Sequence, residues 1–224
     1  MKINTSFATF KKKHRNNKNQ ILFYSLKCKN DKIIENLIDN FLPTKNSFIF
    51  ESVEKRRIKG RYTIIGSDPD KMWEFNNNNI SLIENKKIKK IKKAPYEYLK
   101  KIIENFKFPL PKGLPPLSTL LVGYFSYDII RYIEKIPNKC RDDLGIPDIR
   151  LMRPKTLIIY DNFKKKIFFI VNCFSDEKIK NYFSYYISQT KKIENLLSLT
   201  FLKHSKKIAK KKNYKNKKIK IKSN

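Results

Sequence analysis

Between residues 47 and 84 four apolar runs of strand length follow one another: SFIFES (47–52), RYTIIGS (61–67), KMWEF (71–75) and ISLIE (80–84), broken at Asp68-Pro69 and at the Asn run 76–79. Runs this short, joined by turn residues, cannot bury themselves as helices and read as strands pairing with their sequence neighbours, an antiparallel meander. ILFYSLK (21–27) adds a strand, KKIKKIKK (86–93) reads as a charged connector or edge strand, and IRLMRPKTLIIYDN (149–162) with KIFFIVNCF (166–174) predicts a hairpin. STLLVGYFSYD (118–128) is a further buried strand, whose Gly123 points to a bulge or a close backbone approach.

Helical spacing appears elsewhere. Ile33, Ile34, Leu37, Ile38 and Phe41 recur on one face of residues 30–42, which Pro43 stops. Tyr98, Ile102 and Phe106 lie four apart in 94–106, and 128–136 reads as a helix. Residues 175–197 form another, with Ser175 as cap and Glu177 close behind. The expected fold class is α+β, antiparallel sheets flanked by helices. Residues 1–20 read as a basic lead-in, 21–197 as the folded domain, and 198–224 as a Lys-rich linker or disordered tail, since residues 203–224 hold eleven Lys and no acid.

A formal net charge of +31 suggests a polyanion partner acting through that tail. Yet only 8 of the 51 basic residues are Arg and 43 are Lys, beside abundant Asn, Ile, Phe and Tyr. Nucleic-acid readers lean on Arg for bidentate contacts, so this make-up points to biased codon usage and against nucleic acid. Cys28, Cys140 and Cys173 are far apart and odd in number, which fits neither a zinc site nor a disulfide framework. With no signal peptide and no apolar stretch near the roughly 18 residues of a membrane span, a reducing cytoplasm is expected.

Catalytic chemistry is thin. His14 and His204 lie in basic segments without a positioned neighbour, and no Gly-rich phosphate loop occurs. Asp142-Asp143 and the Asp68, Asp70 pair read as turn formers.

Three segments, FIFESVEKRRIKGRYTIIGSDP (48–69), LLVGYFSYDIIRYIEKIP (120–137) and DDLGIPDIRLMRPKTLIIYDN (142–162), together resemble the N-terminal domain of anthranilate synthase component I. The likeness runs over residues 20–197. Its motifs also touch the aminodeoxychorismate synthase large component, from which GRYTIIGSDP tilts the match to the anthranilate branch. The resemblance implies conversion of chorismate, with glutamine or ammonia and Mg²⁺, into anthranilate and pyruvate in tryptophan biosynthesis. It places the chorismate and Mg²⁺ residues in a C-terminal domain missing from this chain, so no catalytic residue and no bound cofactor is expected here. Implied partners are that chorismate-binding domain, a glutamine amidotransferase subunit, and L-tryptophan as feedback effector. Glu51 and Ser52 would form part of the effector site, Glu51 meeting the ammonium, Ser52 bonding at the backbone end, and Arg61 lying near the carboxylate.

Overall fold

The computed structural model describes residues 2–28, 32–41, 44–51, 60–77, 79–106, 108–137, 142 and 144–200. In chain order it holds α1 (Phe7–Arg15), β1 (Gln20–Lys27), α2 (Lys32–Phe41), β2 (Phe48–Phe50), β3 (Tyr62–Asn76), β4 (Asn79–Glu84), β5 (Lys87–Ile91), α3 (Pro95–Asn105), β6 (Val122–Phe125), a 3₁₀ turn (Tyr127–Tyr132), β7 (Ile149–Asp161), β8 (Lys166–Cys173) and α4 (Tyr182–Leu199). The strands form one antiparallel sheet in the order β1-β8-β7-β3-β4-β5, with β2 added on β3 and β6 on β7. The α+β expectation holds.

The spine is the long pair β3 and β7, in register from Tyr62↔Asp161 to Phe75↔Ile149. Sequence reading breaks β3 at Asp68-Pro69, whereas the strand runs through. Asp68 takes a left-handed φ of 55°, and the register shifts between Pro69 and Lys71. Pro69 stands opposite Pro154, so two residues without an N–H face each other where the ladder bulges. The bulge divides the spine into two halves, each extended by different strands.

Along the first half, β3 carries β2 on its free side and β7 carries β8. Both faces of this half are buried, which explains why β8 reads as an unbroken apolar run. Leu22, Ile65, Ile158, Phe169 and Val171 meet α1, α2 and α4 on one face. Ile21, Ile64, Leu157, Ile159, Phe168 and Ile170 meet Leu114, Phe108 and Leu120 on the other. Along the second half, β3 carries β4 and β7 carries β6, and α3 covers Trp73, Phe75, Ile80, Ile149 and Leu151. A Cβ on Gly123 would stand 1.8 Å from the Arg150 carbonyl oxygen, so the close approach expected there is what lets β6 join β7.

Three local expectations change. The lead-in contains α1, capped by the Ser6 side chain on Thr9 N–H, and its Phe10 is fully buried beside Tyr185 and Tyr186 of α4. His14, one turn on, is buried against Tyr182 rather than solvent-facing, because Phe10 and His14 share the inner face of α1. The last helix begins after Asn181, whose side chain accepts from Ser184 N–H; Ser175 is not its cap. Glu177 instead accepts from Phe174 N–H and bonds Tyr185 Oη and Lys155 Nζ, holding the segment before α4 against β7. Residues 128–136 shorten to the 3₁₀ turn, in which Arg131 bonds Asp128 and the carbonyls of Ile136 and Pro137.

Candidate functional site

At the Tyr62 end of the spine the short strand β2 delivers Glu51, and the turn at Gly60 delivers Arg61. Both side chains line one open cavity of about 410 Å³, together with Ile49, Phe50, Tyr62, Ile64 and Leu117. Glu51 is exposed there and also lines a smaller recess with Thr63, Tyr160 and Asn162. Ser52 lies outside the described residues.

Arg61 is not a bare cation. Its Nε and Nη2 donate to the two oxygens of Asp161, at 3.0 and 2.7 Å, in a bidentate pair across the first rung of the spine. The guanidinium also stands over the rings of Tyr62 and Phe163. Asp161 further accepts from the Phe163 and Lys164 N–H groups of the β7–β8 turn. Burial pushes the Asp161 carboxyl up, but Arg61 and those N–H groups outweigh it and hold it below its ordinary 3.8. Asp161 was invisible to sequence reasoning, being 100 residues from Arg61. The only signal was the Asp-Asn dipeptide at the hairpin turn.

A second polar cluster sits just past the bulge. Arg153, 9% exposed, donates Nε and Nη2 to Asp70 and Nη1 and Nη2 to Asp176, the latter at 3.1 and 2.9 Å, while Phe174 covers its face at 3.7 Å. Lys71 Nζ reaches Asp176 at 2.7 Å and Glu84 at 3.3 Å. Asp70 is thus an ion-pair partner and not a turn former, although its burial outweighs Arg153 and leaves its carboxyl raised. Near Lys155, Glu177 and Tyr185, burial pushes the Cys173 thiol up to about 12, which makes it an inert core residue at neutral pH. Asp142, by contrast, forms the turn expected of it, accepting from Leu144 and Gly145 N–H.

Among the described residues no group of three or more His, Cys, Asp or Glu side chains is placed to share a metal ion, so none is assigned to Mg²⁺. Nor, among them, is any helix long and apolar enough to cross a membrane. Cys140, Asp143, His204 and the Lys-rich tail lie outside the described residues.

A family model described as chorismate binding enzyme matches residues 45–223. Curated relatives include anthranilate synthase component 1 of Cereibacter sphaeroides, 30% identical over 168 residues that cover 73% of this chain and 34% of the relative. That of Acetivibrio thermocellus is 34% identical over 161 residues, covering 71% and 32%. The crystal structure of anthranilate synthase component I from Streptococcus pneumoniae TIGR4 superposes with a TM-score of 0.52 at 21% identity, over 74% of this chain and 34% of that one, a likeness of fold. The chain therefore spans about a third of the length of the curated relatives it matches.

Proposed function

The chain belongs to the family of chorismate-binding enzymes, and on that footing we propose that it is the N-terminal, tryptophan-sensing portion of an anthranilate synthase component I. The complete enzyme would convert chorismate, with glutamine or ammonia and Mg²⁺, into anthranilate and pyruvate in the cytoplasm. The observation that supports the sensing role is the convergence of Glu51 and the Arg61–Asp161 pair on one cavity at the end of the spine.

An amino acid brings an ammonium and a carboxylate, so its site wants an acceptor, a hydroxyl and a cation. Glu51 takes the ammonium and Ser52 bonds at the backbone end. With Nε and Nη2 committed to Asp161, Nη1 of Arg61 is the nitrogen that meets the carboxylate. Asp161 orients the guanidinium and neutralises it as a pair, which keeps the half-site from binding anions indiscriminately.

Half a site needs its other wall. Phe50 and Leu117, two apolar residues of the cavity lining, are 49 and 44% exposed. Apolar side chains left exposed around a cavity mark a surface that another body covers. Its occupant in this reading is the remaining two thirds of the enzyme, with a glutamine amidotransferase subunit as a further partner.

The test is an assay of the complete enzyme carrying this portion. Fluorescent anthranilate appears from chorismate and ammonia, and micromolar to millimolar L-tryptophan suppresses it. Release of a non-fluorescent aminated chorismate instead assigns the chain to the aminodeoxychorismate branch, and turnover indifferent to L-tryptophan removes the sensing role.

A further inference from the structure

A second cavity of about 400 Å³ lies on the other half of the sheet, away from Glu51 and Arg61. Trp73, Leu82, Tyr98, Ile102 and Leu121 line its apolar side, and Lys71, Arg153 and Asp176 close its inner end. The volume suits one small organic molecule.

The charges decide which molecule. Arg153 and Lys71 are met by three carboxylates, Asp70, Asp176 and Glu84, so the inner end of the cavity offers an incoming anion no unmatched cation. Lys101, exposed on α3 with Asn105 one turn on, is the cation of the lining outside that network. Lys89, the cross-strand partner of Leu82, stands on the same face of the sheet. A flat ring entering between Trp73 and Tyr98 would thus place a single negative charge within reach of Lys101 Nζ and Asn105 Nδ2. The inner network is rigid, because Phe174 covers Arg153 and the Asn19 side chain fixes Ser175 N–H at 2.8 Å, so the cavity need not be ordered on binding.

We propose that the cavity between α3 and the β3–β4 face is a binding site for a small monoanionic ring compound, a ring carboxylate, held by Trp73 and Tyr98 on its faces and by Lys101 and Asn105 at its charge. The site is separate from the effector cavity and stands whether or not the sensing role does.

Trp73 is the sole tryptophan of the chain, so its indole N–H gives a single reporter in ¹⁵N-labelled protein that unlabelled L-tryptophan cannot obscure. The probe is benzoate, titrated into the full chain. Benzoate moves the Trp73 indole resonance saturably, whereas benzamide, a ring without charge, and acetate, a charge without ring, do so far more weakly. Lys101→Met weakens benzoate about tenfold, the loss of one charge-assisted hydrogen bond, and Lys101→Arg restores it. Lys101 is exposed, so neither variant disturbs the fold. Saturating L-tryptophan leaves the benzoate titration unchanged. Equal responses to benzoate and benzamide, an unaltered affinity in Lys101→Met, or competition by L-tryptophan would each overturn the proposal.

Discussion

On the Tyr62–Gly66 half of the spine both faces of the sheet are covered, by three helices on one side and the 108–120 segment on the other. On the Lys71–Phe75 half α3 covers one face, β5 is an exposed edge of lysines, and β6 leaves its aromatic residues in solvent. The same two strands run through both. Each half is also pinned by a bidentate Arg–Asp pair across the spine, and the pairs differ as the halves do. Arg153 is sunk between two carboxylates and a phenyl ring, whereas Arg61 sits at a cavity mouth with its partner buried behind it. The closed half thus carries its Arg–Asp pair at its rim, and the open half carries its strongest polar network at its centre. A polar network inside the less covered half does what apolar packing does in the other: it fixes strand register where the Pro69–Pro154 bulge interrupts the ladder.

Arg153→Met breaks that contrast most forcefully. It leaves Asp70 and Asp176 without their shared cation, and removing one partner of a buried pair costs about 3–5 kcal/mol. Urea unfolding followed by Trp73 fluorescence measures the loss; a value under about 1 kcal/mol, the range of exposed pairs, would mean the network is ornamental. Gly123→Ala comes next. The added methyl meets the Arg150 backbone, and overpacking of this kind costs about 1–3 kcal/mol. Amide exchange should rise at β6 and stay unchanged at β8.

Acid separates the two Arg pairs. A carboxyl held below its ordinary 3.8 contributes stability that is complete above that value and is lost as pH falls through the lower, folded-state value. Arg61→Met removes one of the groups that hold Asp161 down. Acid unfolding of the variant therefore begins at higher pH than in the parent, while stability at pH 7 drops by less than in Arg153→Met. An unshifted acid midpoint would show that the N–H groups of the turn suffice for Asp161. The smallest effect belongs to the β5 edge: Ile88 is 68% exposed, and Ile88→Lys should stay within about 0.5 kcal/mol while making the edge less prone to pair with another chain.

How legible all this was depends on how local each cause is. β8 announced itself because both its faces are buried, and Gly123 because only a residue without Cβ tolerates a carbonyl so near. β3 was split in reading because Asp-Pro is a turn signal, and nothing in the local sequence says that Pro154 will stand opposite Pro69. α1 hid behind its lysines: its apolar face is little more than Phe10 and His14, and its partner α4 lies some 170 residues on. Ser175 and Glu177 resembled a capping box, but Glu177 is drawn back to Lys155 and Tyr185 by tertiary packing. At the candidate site, Glu51 and Arg61 came from the family-like motif, and the cavity they share is a feature of the fold. Asp161 and the Arg153 network, which join distant strands, could only be seen once the register was known.

The most direct measurement of the central claim is the inhibition of anthranilate formation by L-tryptophan in the complete enzyme, compared between the parent and Glu51→Gln or Ser52→Phe. Both variants should keep turning over chorismate and lose most of their response to tryptophan. Inhibition as strong as in the parent would contradict that claim and leave the cavity at Glu51 and Arg61 without its assigned ligand.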